Sequence, residues 1–118
     1  MQYVLLIFQG TTPLPTDPAA WATLSEAEQK AIYRDYGALN ETPGVTPGLP
    51  LGLPEDATTV QVNGGKTETR EGPYLSDGAG GYLVIEADDL EGAIDLASRI
   101  PAARHGGAIE IRPVATYW

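Results

Sequence analysis

The chain has 118 residues, with 7 Lys+Arg against 16 Asp+Glu and a formal net charge of −9. That is length for one domain around one core, not for two. The acidity repels phosphate backbones and anionic lipid headgroups and the few basic residues form no stripe, so neither nucleic acid nor membrane is an expected partner. The absence of cysteine excludes disulfides and thiolate metal sites and fits a reducing compartment.

Residues 3–8 are branched and apolar throughout and predict a strand. Tyr3, Leu5 and Ile7 lie on one face and Val4, Leu6 and Phe8 on the other, so this strand belongs in the middle of a sheet with both faces covered. It lacks a basic flank and is too short for a signal segment or a membrane span, which leads us to expect a cytoplasmic protein. Residues 9–23, rich in Pro and Thr, read as a loop. Ser25-Glu26-Ala27-Glu28 is a capping box: the serine hydroxyl can accept an amide of the first turn while the glutamate reaches back. The helix it opens runs to Leu39 or Asn40, with Ile32, Tyr36 and Leu39 on one stripe.

Pro43, Gly44, Pro47, Gly48, Pro50, Gly52 and Pro54 make a regular central strand hard to sustain and predict an irregular edge segment or extended loop. Residues 58–62 are strand-like, Asn63-Gly64 is a strong hairpin signal, and residues 66–70 return as the partner strand. Residues 71–74 break that strand, and residues 76–81 read as a flexible loop. Tyr82-Leu83-Val84-Ile85 is a second strand apolar on both faces. Asp88 or Asp89 caps the next helix, with Leu90, Ala93, Ile94, Ala97 and Ile100 as its buried stripe. Pro101 bounds it or begins a new turn. In the last strand, residues 108–114, Ile109 and Ile111 point one way and Glu110 and Arg112 the other, where an ion pair within the sheet or between subunits is expected.

The order β-α-β-hairpin-β-α-β predicts an α+β fold of ferredoxin-like, split βαβ plan: a mainly antiparallel sheet with two helices on one face. Two helices cover one face, yet two strands are apolar on both. The expected cover for the second face is a second copy of the chain, related by a twofold axis; the alternative is a monomer whose Pro/Gly-rich loop folds over that face.

With these elements placed, the chain resembles the YCII-related family, in its DGPF-motif branch, over nearly its full length. The resemblance is carried by Tyr3-Val4-Leu5-Leu6-Ile7, Trp21-Ala22-Thr23-Leu24-Ser25, Glu71-Gly72-Pro73-Tyr74 (where the family usually has Asp-Gly-Pro-Phe), Gly80-Gly81-Tyr82, Ala87-Asp88-Asp89-Leu90, Ile100-Pro101-Ala102-Ala103 and Ile109-Glu110-Ile111-Arg112-Pro113. It implies a dimeric α+β barrel. For function it implies a polar pocket with a His–Asp pair, dehalogenation by proton abstraction in one branch, and association with extracytoplasmic-function sigma factors among DGPF-type members. After the Gly-Pro-aromatic turn the family commonly carries an acidic-Thr-Lys stretch before Gly-Gly. Here Leu75-Ser76-Asp77-Gly78-Ala79 is shorter and lacks the lysine.

His105 is the sole histidine and the one side chain whose ordinary pKa lies near neutrality. It is the candidate general base, oriented by Asp77 or Glu71, with Tyr74 polarising the substrate. The competing reading of His105 is a surface residue just past a helix C-terminus, beside Arg104. Glu71, Gly72, Pro73 and Arg104 are the candidate ligand contacts, although Gly72-Pro73 also makes a tight turn on its own account, and Asp77-Gly78 an Asx-type one. Ser25 is engaged as a cap, so no nucleophile triad assembles. Gly78–Gly81 follows a turn rather than a strand, so a phosphate loop is not indicated, and no cofactor or metal is expected. The expected function is a dimeric binder of an unidentified small molecule, with lyase- or isomerase-like proton transfer at His105. The alternative is a non-enzymatic regulatory or interaction module that partners a sigma factor.

Overall fold

A computed structural model describes residues 1–75 and 78–116. Its principal sheet has four strands in the order β2-β5-β1-β6, with β1 at Gln2–Phe8, β2 at Val45–Pro47, β5 at Gly81–Glu86 and β6 at Ala108–Pro113. A separate two-stranded sheet joins β3, Thr58–Asn63, to β4, Lys66–Glu71. Every pairing is antiparallel. The two strands apolar on both faces, β1 and β5, are the central pair, as their patterning predicts. The arrangement agrees with a ferredoxin-like plan in which the hairpin is an addition between the edge strand β2 and β5.

Three α-helices complete the fold: α1 at Pro18–Trp21, α2 at Glu26–Asn40 and α3 at Leu90–Ala97. The one-turn α1 lies within the stretch read as loop. Asp17 caps it, its carboxylate accepting from the Ala20 amide at 3.3 Å, and Pro18 occupies the first helical position, where its missing N–H costs nothing. The Ser25 cap of α2 is present: the Glu28 N–H donates to Ser25 Oγ at 3.1 Å, and the Ser25 hydroxyl donates to Glu28 Oε1 at 3.2 Å. The glutamate thus closes the box through the hydroxyl. For α3 the cap is Asp89, which accepts from Gly92 N–H at 2.9 Å.

Both long helices lie on one face of the sheet. Leu39 of α2 and Ala93 and Ala97 of α3 join Tyr3, Leu5, Ile7, Leu83 and Ile85 in a single buried cluster closed by Ile100 and Ala102. Leu5, Ile85 and Ile100 are wholly excluded from solvent. The predicted stripe of α3 needs one correction. Ala93, Ala97 and Ile100 are buried, but Leu90 and Ile94 are exposed and Leu96 packs against the core in their place. The alanines decide this, because small side chains let the helix lie close to the sheet, and the helix is then turned toward the Leu96 side.

The Pro/Gly-rich stretch supplies the edge as expected. Val45–Pro47 pairs with β5, and the chain continues beside it through Gly48 N–H to the Tyr82 carbonyl, 3.1 Å, and Leu51 N–H to the Gly80 carbonyl, 2.9 Å. Pro47 directly precedes the first of these donors and Pro50 the second, so the missing N–H groups cost no ladder bond. The hairpin turns on Gly64 and Gly65, with φ of 59° and 78°, one residue beyond the Asn63-Gly64 pair. Two successive positive φ angles are those of a tight primed turn, which glycines adopt without strain. Pro101 does begin a new turn, a 3₁₀ segment at Pro101–Arg104. No helix among the described residues is long and apolar enough to cross a membrane.

The placement of α3 yields a direct test. Ile85→Ala should cost about 3–4 kcal/mol in urea unfolding, and Ile94→Ala well under about 1 kcal/mol. Equal losses would contradict the observed rotation of the helix.

Candidate functional site

A cavity of about 310 Å³ opens between α2, the Ile7 end of β1, the start of β5 and the loops before α1 and after β2. Its walls are mostly apolar: Ile7 and Leu83 from the sheet, Ile32 from α2, and the rings of Trp21, Tyr33 and Tyr36. The aromatic wall is built locally. Tyr33 and Tyr36 lie three apart on α2 and so share a face. Trp21, the last residue of α1, meets Tyr33 edge-on, with ring centroids 5.5 Å apart and planes at 68°. Gln29 locks the corner between α1 and α2 by donating from Nε2 to the Trp21 carbonyl at 2.9 Å.

Polar residues at the cavity are few: Gln9, Thr12 and Asn40, with the polar ends of Trp21, Tyr33, Tyr36 and Tyr82. Burial pushes the Tyr36 phenol above its ordinary pKa of 10.0, offset in part by the Gln9 side chain and by the charge of Arg104. Tyr36 therefore stays protonated at neutral pH, a hydrogen-bond donor rather than a base. Gln9 is seated against Gly80, where an added Cβ would collide with the Gln9 side chain, and Gly80 N–H donates to the Ile7 carbonyl at 2.7 Å. Glycine at 80 thus serves close packing, not phosphate binding.

A second, larger cleft of about 950 Å³ shares Gln9, Leu14, Pro15, Pro50 and Gly80 with this cavity. It runs from Phe8 and Ala108, at one end of the sheet face away from the helices, to Leu53, Pro54 and Asp56 at the foot of the hairpin.

Those predicted site residues that are described, Glu71, Gly72, Pro73, Tyr74, Arg104 and His105, do not line either space. His105 ends the 3₁₀ turn, half-buried, and its backbone carbonyl accepts from Thr12 Oγ1 at 3.2 Å. Among the described residues no carboxylate is hydrogen-bonded or ion-paired to its side chain, and Asp77 lies outside the described residues. Glu71 closes β4 and is exposed. Gly72, with φ of 96°, makes the expected turn, its N–H donating to the Ala57 carbonyl at 2.8 Å and its carbonyl accepting from Thr59 Oγ1 at 2.8 Å. The Pro73 carbonyl lies 3.5 Å from Arg70 Nη2, and Tyr74 is exposed.

Arg104 donates from Nη2 to Asp35 Oδ2, and Arg34 Nε is 3.4 Å from Asp35 Oδ1. The Arg104 hydrogen bond holds the Asp35 carboxyl below its ordinary value of 3.8, assisted by Arg34 and opposed by desolvation. The pair ties α2 to the turn that follows α3. Among the described residues neither Glu110 nor Arg112 forms an ion pair within the sheet. No group of three or more His, Asp or Glu among the described residues could hold a metal ion.

The YCII-related domain model matches residues 1–117, and the chain belongs to that family. No curated protein matches it.

Asp35 offers a check on this corner. Its folded pKa lies below the unfolded one, so the ion pair's contribution is present above about pH 3.8 and is lost as pH falls through the folded value. In an NMR titration Arg104→Met should move the Asp35 midpoint upward, toward 3.8. An unmoved midpoint would show that Arg104 does not act on it.

Proposed function

We propose that this YCII-related chain is a binding protein for a small, uncharged, largely apolar molecule bearing one hydrogen-bond acceptor, and that it works as a homodimer. The observation that carries the ligand reading is the aromatic cavity with the Tyr36 hydroxyl and Gln9 among its few polar groups. Its size and mixture of surfaces are those of small-molecule sites. A half-buried phenol that keeps its proton can donate to a carbonyl or ether oxygen. The apolar walls penalise a charged ligand, because neither a lysine, an arginine nor a carboxylate lines them. Proton transfer by His105 finds no carboxylate partner among the described residues, so binding is the reading the geometry favours.

The dimer reading rests on the sheet. Val4, Leu6 and Phe8 of β1 and Tyr82 and Val84 of β5 point away from the helices and remain only partly covered. Glu110 and Arg112 lie at the edge of this face, opposite Leu6 and Val4. One acid and one base on a single strand make a self-complementary edge, which a twofold axis requires. Sheet-to-sheet pairing of two copies is also the barrel that the family resemblance implies.

Trp21 lines the cavity and reports on it. In a Trp118→Phe background, which leaves Trp21 as the single tryptophan, acetophenone should quench the emission saturably. Tyr36→Phe should weaken that binding by about fivefold, the value of one hydrogen bond near 1 kcal/mol. Quenching that stays linear with concentration, or that ignores the Tyr36 hydroxyl, would refute the proposal.

A further inference from the structure

Among the described residues the β3–β4 hairpin pairs with no other strand. Every residue of β4 is exposed and so is every residue of β3 except Thr59. Beyond the ladder, the foot of the hairpin is closed by the Gly72 N–H to the Ala57 carbonyl and by Thr59 Oγ1 to the Gly72 carbonyl. An isolated two-stranded hairpin is marginal in water, and this one is amphipathic. The register puts Thr58, Val60, Val62, Thr67, Thr69 and Glu71 on one face and the polar Gln61, Asn63, Lys66, Glu68 and Arg70, with Thr59, on the other. Val60 and Val62 are 58% and 64% exposed, a β-branched face with nothing on it.

We infer that this hairpin is an arm that embraces a second copy of the chain, with its Val60/Val62 face laid on the partner. The inference rests on the dimer reading above and adds to it a second contact. Three observations support a second copy as the occupant. The larger cleft has Phe8 and Ala108, at the end of the uncovered sheet face, on one wall and Leu53, Pro54 and Asp56, at the foot of the arm, on the other. A partner seated on the sheet face therefore enters the space beside the arm.

The second observation is area. Four strands about 4.8 Å apart and about 20 Å long present a footprint of about 400 Å², half of the about 800 Å² per partner that a stable complex usually buries. One arm face adds about 200 Å². In a twofold dimer each copy both gives and receives an arm, which brings the sum to about 800 Å². The third is charge. Lys66 and Arg70 balance Glu68 and Glu71 within the arm, so the net −9 lies wholly outside it. Two strongly acidic chains meet at least cost through their neutral segment.

The shape agrees: the radius of gyration is 16.2 Å and the long axis 52 Å, whereas a compact chain of this length has a radius of gyration near 13–14 Å.

Sedimentation equilibrium of the full chain and of Val60→Asp/Val62→Asp tests the inference. Both substitutions are at exposed sites, so the monomer fold should persist, which far-UV circular dichroism checks. The expected result is a dimer for the parent chain and a dissociation constant weakened on the order of 100-fold in the variant, from four valines lost per dimer. A parallel readout avoids stability altogether. Because the chain has no cysteine, Val62→Cys can be labelled singly with benzophenone maleimide, and illumination should give a covalent dimer. A parent dimer with an unchanged constant in the Asp variant and no photo-crosslink would overturn the arm and leave the sheet-face dimer standing. A monomeric parent chain would overturn both.

Discussion

The structure depends on one constraint: β1 and β5 pair in the middle of the sheet, and both are apolar on both sides. On one side the constraint is met within the chain. Tyr3, Leu5, Ile7, Leu83 and Ile85 are buried by α2, α3 and the turn that carries Ile100 and Ala102. Placing these side chains out of water is the main favourable term the domain has. On the other side Val4, Leu6, Phe8 and Val84 are only half-buried. The fold is thus complete on one face and open on the other, and the open face is where a second chain gains most.

The cavity follows from how the covered face is closed. Two helices and a run of prolines cannot seal the end of the sheet where β1 leaves and β5 begins. Glycines at 48 and 80 bring the backbone close to Tyr82 and Gln9, while the rings on α1 and α2 stand around the remaining space. An ion pair holds the same end: Asp35, next to Tyr36, fastens α2 to the turn bearing Arg104. The site is therefore built on rigid elements and faces inward from a loop-lined mouth. The larger cleft continues from that mouth toward the open face and the hairpin, so anything that binds the open face lies next to the route into the cavity.

Much of the fold was legible in the residues. Short runs apolar on both faces marked the two central strands, Ser25 and Glu28 marked the start of α2, and the prolines of residues 43–54 marked an edge rather than a centre. The hairpin was legible down to one residue of its turn. What was missed has physical causes. Asp17-Pro18 is a helix start in four residues, too short for any periodicity to show. Leu90 and Ile94 share the apolar arc of α3 with Leu96, and periodicity alone does not say which edge of that arc meets the sheet. The cavity was less legible, because Gln9, Ile7 and Leu83 reach the locally built aromatic wall only through the tertiary fold. The raised pKa of Tyr36 likewise comes from burial that no local pattern encodes. His105 drew attention by its chemistry, and the structure leaves its side chain without a carboxylate partner among the described residues.

The need of the open face for a cover is most directly tested by small-angle X-ray scattering of the unmodified chain across a dilution series. The account predicts a forward scattering intensity of two chains at working concentrations, with a radius of gyration above that of the single chain. A forward intensity of one chain with a radius of gyration near 16.2 Å, unchanged at the highest concentration, would contradict it.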